Sequence, residues 1–176
     1  MKKSIYVATS LDGYIARSNG ELDWLPAEPG DDCGFSEFLK SVDCIIMGRN
    51  TYDKVISFGR WPYGRTQVMV LTNRPIEIPE KLSEYVRAYA GTPEQIVPML
   101  ADKEFEHAYI DGGNVVQQFI KARLIDEMII TTAPVIIGSG ISLFGEFKED
   151  INWTLLSSRA HRGGLVQSRY KIGRRS

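Results

Sequence analysis

The stretch "IDGGNVV" at residues 110–116 sets two glycines and an asparagine between an apolar strand and an amphipathic helix. Glycine at the carboxyl end of a parallel strand admits positive φ and leaves no Cβ in a ligand's way. The helix that follows opens with unpaired N–H groups and a partial positive charge, and both attract phosphate. Ile110 closes the strand, Gly112 and Gly113 clear space, and the amides near Asn114 and Val115 would face a bound anion. A tight, well-capped turn without a ligand accounts for this stretch equally well, since a Gly-Gly pair alone is a weak motif.

Two more strand exits carry the same chemistry. In "CIIMGRNTYDKV", residues 44–55, Gly48 offers bare backbone, Arg49 a guanidinium, Asn50 a cap and Thr51 a hydroxyl, a set suited to phosphate. In "VMVLTNRP", Leu71 ends a strand and Thr72, Asn73 and Arg74 follow, where Arg74 could pair with a further phosphate. A lone arginine is most often surface decoration. Three such exits on one sheet edge instead point to one extended ligand with several phosphates, and a dinucleotide fits that description.

Other reactive side chains fall into no catalytic spacing. Neither His107 nor His161 has partners at metal or triad spacing. Cys33 and Cys44 are too few for a disulfide scaffold or a zinc site and read as free thiols. "GSG" at residues 138–140 is a loop, not a nucleophile elbow. Asp31 or Asp32 can cap a helix start, and the Asp12-Gly13 pair is a common turn.

Positioning these groups falls to alternating strands and helices. Apolar runs place strands at residues 5–9, 44–47, 68–71, 86–90, 107–110 and 128–134, with helices at 34–41, 50–57, 92–101 and 114–124. Thr92, Pro93 and Gln95 form a capping box with proline in the first turn, while Pro98 should kink or shorten that helix. Asn114 is the expected cap of the fourth helix, and Val115, Val116, Phe119, Ile120 and Leu124 supply its apolar stripe. Segments 153–160 and 165–172, joined through "HRGG", read as a terminal antiparallel hairpin. The expected architecture is one α/β domain over residues 1–176, with a mixed, mostly parallel sheet of about eight strands flanked by about four helices. The irregular stretch "RSNGELDWLPAEPGDD", residues 17–32, reads as a binding loop or lid.

Charge and hydropathy exclude several functions. Twenty-one basic against 22 acidic residues leave no excess to hold nucleic acid or an anionic membrane. No window reaches the roughly 18 apolar residues of a membrane span. "MKKSIYVATSLDG" lacks the apolar length and cleavage site of a signal peptide, so a cytoplasmic protein with reduced thiols is expected. A doubly wound NAD dehydrogenase is disfavoured because no spaced glycine fingerprint follows the first strand.

"IIMGRNTYDKV", "YGRTQVMVLTNRP" and "YIDGGNVVQQF" resemble, in order and approximate spacing, the cofactor-binding segments of the dihydrofolate reductase superfamily. "ATSLDGYIA" and "PVIIGSGISLFGE" are similar to the reductase domain of the bifunctional riboflavin-biosynthesis deaminase/reductase. No deaminase zinc motif precedes them, so the chain resembles the stand-alone relatives of that domain. The resemblance implies NADPH as cofactor. It implies that the backbones of Ala8 and Ile15 contact the nicotinamide amide, and that Gly48, Arg49 and Thr51 form a phosphate turn. Leu71, Thr72, Asn73 and Arg74 would hold the adenosine end, the last three favouring its 2′-phosphate. Gly112, Gly113, Asn114 and Val115 would form the pyrophosphate turn, whose Gly-Gly peptide is typically cis in the family.

On the substrate side, the same resemblance implies that Trp24 flanks the heterocycle from a loop able to close over the nicotinamide; a core aromatic is the competing reading. Arg65 matches an arginine that grips a substrate carboxylate, with an exposed loop arginine as the alternative. The carboxylate that supports protonation is expected at Asp32, then Glu37, although the segment before "IIMGR" is shorter than the folate-enzyme pattern. Asp12 and Asp111 are further candidates on the substrate side. The implied activity is NADPH-dependent hydride transfer to a pterin or diaminopyrimidine-type heterocycle, either dihydrofolate or a compound like 5-amino-6-(5-phosphoribosylamino)uracil. The alternative is a catalytically silent NADP(H)-binding module of the same fold. A homodimer is expected, with the apolar "APVIIGSGISLF" segment as subunit contact.

Overall fold

Runs of β-branched and aliphatic residues build the sheet, and amphipathic segments between them form the helices. The computed structural model describes residues 1–26 and 32–173. Its first half holds β1 (Lys2–Thr9), β2 (Tyr14–Ala16), α1 (Phe35–Lys40), β3 (Cys44–Gly48), α2 (Arg49–Ser57), β4 (Gln67–Leu71) and β5 (Val86–Tyr89). There follow α3 (Pro93–Ala101), β6 (His107–Asp111), α4 (Gly113–Lys121), β7 (Glu127–Thr132), β8 (Ile141–Ser142), β9 (Trp153–Ala160) and β10 (Val166–Ile172). Eight strands form one sheet in the order β5-β4-β3-β6-β1-β7-β10-β9, and β2 pairs separately with β8. From β5 to β7 every pairing is parallel, whereas β10 runs antiparallel to both β7 and β9. This is the expected mixed sheet with four helices and an antiparallel end.

Strand parity divides the core into two layers. Ile5, Ile46, Ile110 and Met128 pack with Ile96, Leu100, Val116 and Phe119 from α3 and α4. Tyr6, Ile45, Met47, Tyr109 and Ile129 face the other way, toward Phe38 of α1 and Tyr52 and Val55 of α2. With both faces apolar, a one-residue slip would mismatch each layer, which fixes the register.

Several details depart from expectation. β2 and β8, three and two residues long, are too short to show alternation in a sequence. α4 is capped at Gly112 with φ 86°, not at Asn114, which lies inside the first turn and accepts from Gln118 Nε2. Glycine takes the cap because the chain enters the helix through a positive φ. α3 keeps the expected capping box and runs through Pro98 to Ala101, so proline removes one bond without shortening the helix. No peptide bond among the described residues is cis; the Gly112-Gly113 peptide is trans, and Gly112 makes the turn by its positive φ instead.

His107 anchors the start of β6. Its Nδ1 lies 2.9 Å from the Ser41 carbonyl and its Nε2 2.8 Å from Ser4 Oγ. The neutral ring can therefore donate at Nδ1 and accept the Ser4 hydroxyl at Nε2. Burial lowers the His107 pKa, with help from the Lys2 charge, against the Ser41 bond and the Glu127 and Asp43 charges. An imidazole held neutral binds fewer protons folded than unfolded. Its contribution to stability is complete above the unfolded value of about 6.5 and is lost as pH falls from there toward the lower folded value. Thermal melts should show Tm dropping below that pH, with a flatter slope in His107→Gln; a slope unchanged by the substitution would remove His107 from this role.

Candidate active site

The carboxyl ends of β4, β3, β6, β1 and β7 lie side by side along one edge of the sheet, and antiparallel β10 begins there. Strands are spaced about 4.8 Å apart, so the exits from β4 to β6 span roughly 10 Å. Along this edge, bounded by α2 and by a loop at residues 18–26, opens a cleft of about 1310 Å³. All thirteen residues expected at a cofactor line it. Ala8 and Ile15 come from β1 and β2; Gly48, Arg49 and Thr51 from the β3–α2 junction. Leu71, Thr72, Asn73 and Arg74 come from the β4 exit, and Gly112, Gly113, Asn114 and Val115 from the β6–α4 junction.

The β3 and β6 junctions touch. A Cβ on Gly112 would lie 2.2 Å from Thr51 Oγ1, and one on Gly48 would lie 3.2 Å from Val115 Cγ2. The glycines thus bring two helix N-termini together, so that two sets of unpaired amides and two partial positive charges meet on the rim. Gly112→Ala should cost about 2–6 kcal/mol, combining strain of about 1–3 kcal/mol at positive φ with overpacking of about 1–3 kcal/mol. A variant that melts with the parent would contradict this account of the junction.

At the β4 exit, Thr72 Oγ1 accepts from Arg74 N at 3.1 Å and donates to the Arg74 carbonyl at 2.9 Å. The hydroxyl shapes the turn, and the exposed Arg74 guanidinium has no carboxylate partner among the described residues. Arg49 Nε lies 3.3 Å from Asp53 Oδ2 one turn along α2, a partly exposed pair that an incoming phosphate can replace.

The floor of the cleft is an acid–base cluster. Strand parity raises Tyr6, Tyr109 and Asp111 on the face toward α1 and α2. The Tyr109 hydroxyl donates to the Tyr6 carbonyl at 3.0 Å and stands beside Asp111. Asp111 Oδ1 accepts from Gly112 N at 2.8 Å, and its Oδ2 accepts from the Tyr63 hydroxyl at 3.5 Å. Burial raises the Asp111 pKa above the ordinary carboxyl value, against the lowering effect of the Gly112 amide and the two phenols. Burial, then the Asp111 charge, pushes both the Tyr63 and Tyr109 phenols up. Asp111 therefore takes a proton more readily than a surface aspartate, beside two phenols that keep theirs.

Tyr6, Tyr63, Tyr109 and Thr131 also line the cleft, and none is among the expected site residues. Period-two parity with Ala8 and Asp111 is a signal that would have found Tyr6 and Tyr109. Tyr63 arrives from a loop without such a mark.

The expected substrate-side residues divide. Asp32 lines the cleft, but its oxygens accept Gly34 N at 2.9 Å and Ser36 N at 2.8 Å. The Ser36 hydroxyl first, then these amides, hold its pKa low, and the carboxylate serves the start of α1. Asp31, the other cap candidate, lies outside the described residues. Glu37 is exposed and pairs with Lys40 at 3.1 Å, away from the cleft lining. Trp24 is a core aromatic, buried with Ala133 and Leu165, while its neighbours Leu22 and Leu25 line the cleft. The Asp12 carboxylate accepts the amides of Ile137 at 3.2 Å and Gly138 at 2.8 Å, tying the β1–β2 turn to the loop after β7. Arg65 is exposed on its loop and does not line the cleft. Among the described residues, no group of His, Cys, Asp and Glu is arranged for a metal ion, and no helix is long and apolar enough to cross a membrane.

The family profile described as the RibD C-terminal domain matches residues 61–167. The protein YwjB of Bacillus subtilis (strain 168) is 35% identical, over 96% of this chain and 97% of its own length. A Shewanella sp. PV-4 crystal structure, provisionally assigned as a riboflavin biosynthesis protein, has a TM-score of 0.92 at 40% identity and covers 99% of this chain. RibD of Acinetobacter baumannii shares the fold, with a TM-score of 0.73 at 18% identity; this chain spans 58% of that protein. By that profile match and by the full-length similarity to YwjB, the chain belongs to the RibD C-terminal domain family.

Proposed function

We propose that the protein is an NADPH-dependent reductase that transfers a hydride to a pterin or diaminopyrimidine-type heterocycle. The observation that carries this reading is the continuity of the cleft. Three phosphate-favouring strand exits on one rim run into a floor with a readily protonated carboxyl group. Junction glycines that leave no Cβ between two helix N-termini fit a pyrophosphate, and Arg74 fits the extra phosphate of NADPH. When bound, the nicotinamide supplies the hydride.

The chain's own residues would do the rest. Residues 48–51 and 112–115 hold phosphates, the backbones of Ala8 and Ile15 orient the ring, and Leu22, Leu25 and Pro26 exclude water from the acceptor. Asp111 is placed to deliver a proton to the acceptor atom that gains electrons, in place of Asp32, which is tied to α1. Titration with NADPH, read by nicotinamide fluorescence, tests the first half of this reading. Adding dihydrofolate or 5-amino-6-(5-phosphoribosylamino)uracil and following NADPH consumption tests the second. No NADPH binding overturns the reading, and tight binding with no turnover assigns a silent cofactor-binding module.

Homodimerisation belongs to the same proposal. β9 is the outer strand of the sheet, with Leu155 and Leu156 54% and 47% exposed, and Ile136 in the expected contact segment is 71% exposed. Sedimentation that shows only monomer would remove it.

A further inference from the structure

The cleft is basic toward one end only. Its basic lining residues among those described are Arg49, Lys54 and Arg74. Arg49 and Arg74 stand at the β3 and β4 exits, and Lys54 follows on α2 with its ammonium 5.8 Å from the Phe58 ring centroid. Toward β1, β7 and β10 the lining changes character. Tyr6, Phe35, Thr131 and Leu165 are uncharged, and Asp32 and Asp111 are acidic. Arg65, the expected anion grip, is exposed and absent from the lining.

Of the neutral donors at this end, the Tyr6 hydroxyl and the Gln167 amide are engaged. The Tyr6 hydroxyl donates to the Cys33 carbonyl. The Gln167 amide donates to Tyr6 Oη at 2.9 Å, to the Cys33 carbonyl at 2.9 Å and to Thr131 Oγ1 at 3.1 Å. A phosphate ester placed there would meet ionised Asp32, would lose its water, and would find few donors to replace that water.

We propose that the substrate end of this cleft selects a planar nitrogen heterocycle that carries no phosphate group. The inference rests on the reading that the basic end holds NADPH, and it narrows that reading to the unphosphorylated acceptors. Asp32 acts as the specificity-determining charge: its carboxylate stays ionised on the α1 start and faces the acceptor end.

The test uses the full chain saturated with NADPH, with cofactor binding verified by nicotinamide fluorescence. Two matched pairs are compared by calorimetry: 5-amino-6-(ribosylamino)uracil with its 5′-phosphate, and a hydroxyalkyl dihydropterin with its phosphate ester. The unphosphorylated member should bind at least about tenfold more tightly, equivalent to about 1.4 kcal/mol. Asp32→Asn, which keeps one acceptor oxygen for the two amides at the α1 start, should narrow that ratio, and Lys54→Met should leave it or widen it. Equal or tighter binding of the phosphate esters overturns the proposal, as does binding of no member of either pair. Failure of NADPH itself to bind sinks the cofactor reading, and this inference with it; a phosphate preference with NADPH bound sinks this inference alone.

Discussion

Arg74→Ala should weaken NADPH binding by roughly 10- to 100-fold while NADH changes by no more than about twofold, because a hydrogen bond to a charged group contributes about 1.5–3 kcal/mol and each 1.4 kcal/mol is tenfold. The turn that presents Arg74 does not depend on its side chain. Thr72 Oγ1 bonds only the backbone N and carbonyl of residue 74, so alanine leaves the rim in place. Arg49 makes the contrast: it begins α2 beside the Gly112 junction, where a pyrophosphate common to both cofactors would lie. Its removal should weaken both cofactors together. Because Arg74 is exposed, raising the ionic strength should shrink the NADPH preference of the parent and leave the variant nearly unchanged. Equal loss of NADPH and NADH in Arg74→Ala would take the 2′-phosphate away from this residue.

The rim was legible in the sequence because each of its parts is local. A buried strand such as Cys44–Gly48 ending in glycine, then a polar helix start, is a contiguous pattern, and parallel pairing places every such exit on one edge. Even so, a ligand or a local turn is all that the glycines suggest in sequence, whereas Gly112 is also required by Thr51, which lies far from it in the chain. The acid cluster was legible only in part. Tyr109 shares a strand face with Asp111, two residues on, but Tyr63 comes from a distant loop, and only the folded chain brings it to them. Asp32 misled in the opposite direction. It sits where the resemblance places a catalytic carboxylate, but amides two and four residues ahead occupy its oxygens. Trp24 shows how a lid position can be taken by the core: its ring fills the space beside Ala133 and Leu165, leaving the cleft wall to Leu22 and Leu25.

Asp111→Asn should lower kcat by about 10²- to 10⁴-fold, the usual contribution of a positioned acid or base, and should raise Tm. The side-chain amide can still accept from Gly112 N, so the turn survives, but it cannot give up a proton in the range where a carboxylic acid does. The stability gain follows from the sign of the shift. Burial raises the Asp111 pKa, so the folded state binds the proton more tightly than the unfolded chain. Above the folded value the ionised carboxylate opposes folding; as pH falls through that value toward the unfolded 3.8 the penalty fades. Asparagine removes it at every pH, with a Tm gain of about 2–4 °C for each 1 kcal/mol relieved. Parent activity should decline as pH rises through the folded Asp111 value, and that limb should vanish in the asparagine variant. Tyr63→Phe deletes a bond that favours the ionised form, so it should move the limb to higher pH while turnover is largely kept. Those three readouts separate chemistry from scaffolding. An asparagine variant with undiminished turnover would remove proton delivery from Asp111, and lost turnover with a lower Tm would make Asp111 a group that holds the β6–α4 junction together.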